Sequence, residues 1–546
     1  MKRYIIIAFL AFGTATLSDA AEKIVKVKHR YMNIPVSQQV DRKPMSMWVG
    51  KNEVCRFVIR LTDSKPEYWV FQDMQQWHNK TIKLRYEGSE HALNSIVWAD
   101  SIMGQSQMYR EKERPQYHFT SRRGWINDPN GMIYYNGYYH LFYQHNPYER
   151  EWENMHWGHA VSKDMVHWEE WPDALHPDTI GTIFSGTSVV DHHNTAGFAT
   201  SGQIPPLVAF YTADHPQGQR QCMAYSVDGG KTFTKYQGNP IINSKARWNS
   251  NDTRDPKVFW HAKSGHWVMV LNERDGHSFY TSDNLKDWEY RSHLTGFWEC
   301  PDLFELPVEG TDIRKWVLWG ASGTYAIGQF DGYQFIPDGP KLMNMNGTGY
   351  AAQTFGAMPQ GDKRVVKMTW GRMNFDKTPF NGVMLLPQEQ TLKQTSQGIR
   401  LFSKPVKEVE DLCERVLFKT GAPMTADEAN ALLAAFADND QLRIKATLRL
   451  TYAVDAGLSY NGERLLTYDM NGNLLNGSFY SPDEPDSMLL HCDVYIDKSV
   501  VEGFIDDGAF SFSMKRDMNR NSHEGYRFWG RELFIETLEV YKVKGV

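Results

Sequence analysis

Three carboxylates sit in local sequence suited to holding a side chain still. Asp128 lies in Trp125-Ile-Asn127-Asp128-Pro-Asn-Gly131, Asp255 in Arg254-Asp255-Pro256, and Glu299 in Trp298-Glu299-Cys300-Pro301-Asp302. Pro fixes one backbone angle and Gly frees the turn around it, so such segments at strand ends can present a carboxyl group rigidly. Paired carboxyl groups are what cleavage of a glycosidic bond needs: one attacks or stabilises the anomeric carbon, and the other protonates the departing oxygen. Taken alone, each segment also reads as a surface turn, which is the commoner use of Asp-Pro and Asn-Gly. His156 and His159 raise the question of a metal. On a strand, however, positions i and i+3 face opposite sides, so a structural role is expected for both.

The elements that must position these groups are strands. Helical periodicity is scarce, while short runs of Val, Ile, Tyr, Phe and Trp recur between Gly, Asn, Asp and Pro. Met132 to Tyr143 reads as a hairpin around Asn136-Gly137, a pair that favours positive φ. A weak repeat, Ser162-Lys-Asp164-Met-Val-His-Trp168, Ser226-Val-Asp228-Gly-Gly-Lys-Thr-Phe233 and Ser282-Asp283-Asn-Leu-Lys-Asp-Trp288, suggests one antiparallel sheet per unit, as in the blades of a propeller. Residues 22–112 alternate apolar and polar positions, and the polar run Glu111-Lys-Glu-Arg-Pro115 reads as a boundary. Beyond about residue 404 the pattern changes: Leu442, Ile444, Ala446, Leu448 and Leu450 alternate as a strand with one buried face. Thr425-Ala-Asp-Glu428 reads as the capping box of one short helix in what resembles a β-sandwich.

With 546 residues and 41% hydrophobic content the chain can bury two or three domains. Its net charge of -6, spread rather than blocked, excludes the basic stripe of a nucleic-acid binder. Cys55, Cys222, Cys300, Cys413 and Cys492 form no CxxC pair, so neither a disulfide framework nor a structural zinc site is indicated. Lys2 and Arg3, an apolar stretch from Tyr4 to Phe12 and the small residues near Ala20 read as a signal peptide over 1–20. The stretch is well short of the roughly 20 apolar residues that span a bilayer, and no later segment could span one. With no cysteine near the cleavage point, a periplasmic or secreted protein is expected rather than a lipoprotein.

Several of these motifs together resemble glycoside hydrolase family 32, the invertases, inulinases and levanases. Trp125 to Gly131 is followed in that family's order by Tyr143-Gln144-His-Asn-Pro147, Trp152, His156-Trp157-Gly158-His159-Ala160, Phe184-Ser185-Gly186, Arg254-Asp255-Pro256 and Glu299-Cys300-Pro301-Asp302. The stretch Asp497-Lys-Ser499-Val-Val-Glu502 resembles the family's C-terminal sandwich. The resemblance implies an all-β fold: a five-bladed β-propeller over 116–400, a C-terminal β-sandwich over 405–546 and a small N-terminal β module over 22–112. That module resembles a domain preceding the hydrolase in fructanases of gut Bacteroidetes.

The resemblance also assigns residues. Asp128 would be the nucleophile, Glu299 the general acid/base, and Asp255 with Arg254 would grip the fructosyl hydroxyls and stabilise the transition state. Asn127, Gln144, Trp152, Phe184 and Ser185 would line the same pocket, with Trp125 and Trp370 as aromatic walls. No metal and no cofactor is implied. The expected partner is a fructan polysaccharide or oligosaccharide, levan-type first, with inulin and sucrose as further candidates. The expected activity is retaining, exo-acting β-fructosidase; an endo-levanase, a fructosyltransferase or an idle fructan-binding protein are the alternatives. Trp370-Gly-Arg, Leu386-Pro-Gln-Glu-Gln and Asn346-Gly-Thr-Gly-Tyr350 depart from the family pattern, which bears on leaving-group recognition. Oligomeric state is not legible.

Overall fold

The structure is a computed structural model that describes residues 20–546 except 201, 377, 452–453, 484–487 and 520–521. The expected signal peptide lies outside the described residues apart from its last position. The chain divides into two compact units, with the boundary between Gln105 and Ser106.

In the first unit, a four-stranded sheet runs Ala21–Lys26, Thr81–Tyr86, Lys43–Val49, Asn52–Ile59, and a three-stranded sheet runs Tyr68–Asp73, Tyr31–Val36, Val97–Ala99. Alternation does the folding: in Thr81–Tyr86 the side chains of Ile82, Leu84 and Tyr86 are buried and those between them are not.

The second unit contains five sheets, each with a four-strand antiparallel path, followed by two sheets from the C-terminal part. The Asn136-Gly137 hairpin forms as expected, with φ of 49° and 82° at its two turn residues. The repeat has a structural meaning: in each of the first three sheets it is the turn between the third and fourth strands. Asp164 accepts the amides of Val166 and His167, and Asp228 those of Lys231 and Thr232. In the third copy Asn284, not Asp283, does this for Lys286 and Asp287. The fourth sheet has the same turn, built by Asp331 on Tyr333 and Gln334; lacking the preceding Ser, it escaped the sequence pattern.

The first strands of the five sheets are Gly124–Tyr135, Thr182–Val190, Thr253–His261, Asp302–Pro307 and Gly349–Thr354. Each is tied to the next. Gly186 N donates to Asn130 Oδ1 (3.0 Å), Val258 N to Thr187 Oγ1 (2.9 Å), Lys257 pairs with Asp302 (3.0 Å) and Thr354 N donates to Asp302 Oδ2 (2.5 Å). Gly356 N then returns to Met132 O on the first strand (2.7 Å). These links join each first strand to the next and the last back to the first.

The C-terminal sheets, of eight and five strands, enclose their own core, in which Leu442, Ile444, Ala446, Leu448 and Leu450 are all buried. The capping box at Thr425 and Glu428 starts the helix Ala426–Leu433. The run Glu111–Pro115 is folded rather than a loose linker: Arg114 is 1% exposed, donates to Glu111, Thr120 Oγ1 and Ser121 O, and lies 3.7 Å from the Phe380 ring centroid. Just beyond it, buried His118 bridges Asp497 (2.8 Å) and Glu502 (2.9 Å) of the C-terminal hairpin.

Candidate functional site

The motifs fall where the strand pairing is broken. Register shifts occur between Ile126 and Pro129, between Phe184 and Gly186, between Arg254 and Lys257, and between Tyr350 and Gln353. A bulge of this kind takes residues out of the ladder and re-aims their side chains, so Asp128, Ser185, Asp255 and Ala351 are released at corresponding places on four first strands. On the fourth sheet the same end is made by a turn, with Glu299 and Cys300 at φ of 48° and 40°; Asp255 is at 66°. Such left-handed positions cost non-glycine residues about 1–3 kcal/mol each and persist only where the surroundings impose them.

The result is a cavity of ≈ 460 Å³ lined by Asn127, Asp128, Gln144, Trp152, Phe184, Ser185, Arg254, Asp255, Glu299 and Trp370, together with Asp214, Gln219, Cys300 and Tyr350. Trp125 stands outside that lining. Its Nε1 donates to Asn127 Oδ1 (2.7 Å) and its ring meets Trp370 edge-on at 5.7 Å, so it packs against two of the lining residues. Sequence reasoning missed Asp214 and Gln219 as pocket residues, and nothing in their local sequence marks them. Cys300 lay inside a motif already singled out, and Tyr350 at the end of a departing segment. His156 and His159 turn to separate partners, Asn154 O (2.5 Å) and His140 Nδ1 (3.0 Å), and among the described residues no cluster of three or more His, Cys, Asp or Glu is arranged to hold a metal.

The hydrogen bonds divide the carboxylates by environment. Asp128 accepts from Ser185 Oγ at 2.6 Å and from Asn127 Nδ2 at 3.1 Å, with Cys300 Sγ at 3.5 Å. Asp255 accepts from Cys300 N at 2.9 Å. Glu299 is held at both oxygens, Oε1 by Arg254 Nη2 (2.7 Å) and Oε2 by the Tyr350 hydroxyl (2.5 Å). Gln219 Oε1 in turn accepts from Arg254 Nη1 (3.2 Å), and Gln219 Nε2 donates to Asp214 (3.1 Å).

Burial raises the pKa of Asp255 to about 7; Arg254 opposes this and the charge of Asp128 adds to it. Burial also raises Asp128, against the donors Ser185 and Asn127. The Cys300 thiol is pushed well above its ordinary value by burial and by the carboxylates around it, and remains a thiol. Burial works against the charge on Arg254, but Asp255, Glu299 and Asp252 outweigh it and hold the guanidinium charged. Gln144 Nε2 and Trp370 Nε1 are buried with no acceptor among the described residues.

A larger cavity of ≈ 820 Å³ lies between the fifth sheet and the C-terminal sheets. Within it Lys393 and Lys404 pair with Asp507, and Arg443 with Glu410 and Asp493. The smaller cavity, with Asp128, Asp214, Asp255 and Glu299 lining it beside one guanidinium, is the one equipped for acid, base and nucleophilic chemistry.

Residues 118–405 match the glycosyl hydrolases family 32 N-terminal domain. A levanase of Bacillus subtilis (strain 168) is 40% identical over 453 residues, 74% of this chain and 66% of the levanase, so the chain spans just under two thirds of that relative. An extracellular exo-inulinase of Aspergillus niger is 32% identical over 483 residues, 74% of this chain and 89% of that protein. The crystal structure of exo-inulinase from Aspergillus awamori superposes with a TM-score of 0.69 at 28% identity, covering 80% of this chain and 99% of that one. A fructofuranosidase from Schwanniomyces occidentalis complexed with fructose gives 0.68 at 27% identity, with the same coverage.

Proposed function

The chain belongs to glycosyl hydrolases family 32, and from that membership we propose that it is a retaining β-fructosidase releasing fructose from fructans, levan-type chains first and inulin and sucrose after them. The observation that carries this reading is the grouping of Asp128, Asp255 and Glu299 on one cavity, each with a different set of partners.

Asp128 is the nucleophile. Donation from Ser185 and Asn127 supports its anionic form against burial, and it attacks C2 of the terminal fructosyl ring while Glu299 protonates the departing oxygen. A water molecule, deprotonated by Glu299, then attacks C2 and frees Asp128. Arg254 and Tyr350 fix the direction of the Glu299 carboxyl group through both steps. Asp255, near half-protonation at neutral pH, can both donate to and accept from ring hydroxyls. Gln144 and Trp370 offer the unpartnered donors, while Trp152 and Phe184, 5.8 Å apart, offer apolar surface to the sugar's C-H faces. No metal or cofactor enters the reaction.

In this reading the five sheets are the blades of a five-bladed β-propeller, the two C-terminal sheets a β-sandwich, and the first unit an accessory β module. The N-terminal charge and apolar pattern supports export to the periplasm or beyond, in keeping with extracellular relatives. Chromatography of early digests of levan, inulin and sucrose tests the whole proposal. Fructose as the first product from levan is expected. A ladder of oligosaccharides would make the enzyme endo-acting, transfer products at high sucrose would make it a fructosyltransferase, and no product from any of the three would leave a binding protein.

A further inference from the structure

The turn that carries Glu299 is held in a left-handed conformation by a small set of bonds. Cys300 N donates to Asp255 Oδ2 (2.9 Å), Ala321 N donates to the carbonyls of Trp298 and Glu299 (both 3.1 Å), and Glu299 N donates to Asn272 Oδ1 (2.9 Å). The first of these comes from the pocket's own carboxylates and the second from neighbouring backbone. The third comes from a side chain with no place in the chemistry described above.

Asn272 is fully buried on strand His266–Glu273 of the third sheet, and its Nδ2 has no hydrogen-bond partner among the described residues. Its cross-strand neighbours are Arg254 on one side and His277 on the other; His277 is also fully buried and stacked on Phe297, two residues before Glu299. Burial, helped by His293, holds the His277 pKa down to about 3, so on that side Asn272 faces a neutral ring. That neutrality matters. A carboxylate at 272 could accept the same amide, but it would add a negative charge behind a site that already holds four carboxyl groups. An aliphatic side chain would leave the Glu299 amide without its acceptor.

We propose that Asn272 is a positioning residue for the general acid/base: by accepting from Glu299 N it fixes the left-handed turn, and so the direction in which the Glu299 carboxyl group meets the leaving oxygen. The inference rests on the reading of Glu299 as acid/base. Its signature is a dependence on leaving group, because a misdirected acid slows departure of a sugar alkoxide, which needs a proton, more than departure of a nitrophenolate, which does not.

The test compares the full-length protein with Asn272→Leu and Asn272→Asp on levan oligosaccharides and on 4-nitrophenyl β-fructofuranoside, with Glu299→Ala alongside. For Asn272→Leu we expect kcat/KM, which reads the first step alone, to fall about tenfold or more on the oligosaccharides and less than about threefold on the nitrophenyl substrate. Asn272→Asp, which keeps the acceptor, recovers part of the lost kcat/KM on the oligosaccharides. Should the Leu variant fail to fold, Asn272→Ser is read by the same comparison. Equal losses on both substrates, or no loss on either, overturn the positioning role while leaving the acid/base reading intact. If Glu299→Ala does not itself separate the two substrates, the acid/base reading falls and this inference falls with it.

Discussion

Two clusters of acidic residues lie about one-histidine and one-arginine cations in the larger unit, and they are built in opposite ways. At the brace, His118 sits between Asp497 and Glu502, and both carboxylates take further donors: Asp497 the amides of Gln116, Tyr117 and His118, and Glu502 those of Leu386 and the Gln388 side chain. In the pocket, four carboxyl groups face one guanidinium, that of Arg254, two buried donors stand unpartnered, and three residues hold left-handed backbone angles. Burial is common to both. What differs is whether charge and hydrogen bonding are closed within the protein, as at the brace, or left open for a ligand to complete, as in the pocket. Substitutions should therefore separate the two: the pocket controls rate and the brace controls stability.

The sharpest break is Asp128→Asn. Turnover should fall by roughly four powers of ten or more, while the melting temperature stays level or rises, because one member of a crowded set of like charges is removed. A variant retaining a tenth of the wild-type rate would end the nucleophile assignment. Glu299→Ala should cost about 10²–10⁴ in kcat on fructans, with partial recovery of the second step by added azide; native fructans and nitrophenyl fructoside suffering alike without rescue would speak against it.

His118→Ala tests the other side. It strips the cation from two buried carboxylates, and removal of one partner of such a set costs about 3–5 kcal/mol of stability; denaturant titration reads this, and kcat per folded molecule should stay near normal. A low kcat in fully folded protein would show that the brace also shapes the pocket. The same residue predicts a pH dependence. Burial works against its charge, but Asp497 and Glu502 outweigh it and hold the pKa up at about 9 against an ordinary 6.5. Since the folded pKa is the higher, the stabilisation is fully present below pH 6.5 and is lost as pH rises through about 9. Melting temperature measured across that window should decline in the wild type, and the His118→Ala variant should lose this contribution to the slope. The smallest effect is expected for Ser185→Ala, which removes one hydrogen bond to Asp128: a loss of about 1.5–3 kcal/mol in transition-state stabilisation, with little change in melting temperature.

Much of the local structure was legible because it depends on neighbours in sequence. The Asn136-Gly137 turn, the Thr425–Glu428 capping box and the alternation from Leu442 to Leu450 each express backbone preference or one-sided burial over a few residues. The Asp-Pro and Asn-Asp-Pro segments likewise mark where pairing will break, since Pro cannot donate to a ladder. Other features were illegible for the converse reason. Arg114 reads as one charge in a polar boundary run until Phe380, distant in sequence, covers it. The edge-on contact of Trp125 with Trp370, 245 positions on, is likewise invisible in the sequence.

The sequence by itself determined that this is a strand-built protein carrying three carboxylates in turn-like segments, because residue type and short-range spacing settle both. Which side chains share a cavity was decided only by the tertiary structure. Asp214, Gln219, Tyr350 and Asn272 reach the site through strand register and the links between successive first strands, and no local pattern encodes that register. The electrostatics were decided there too: the rise of Asp255 to about 7 is a sum over burial, Arg254 and Asp128, and that sum exists only once residues more than a hundred positions apart are packed together.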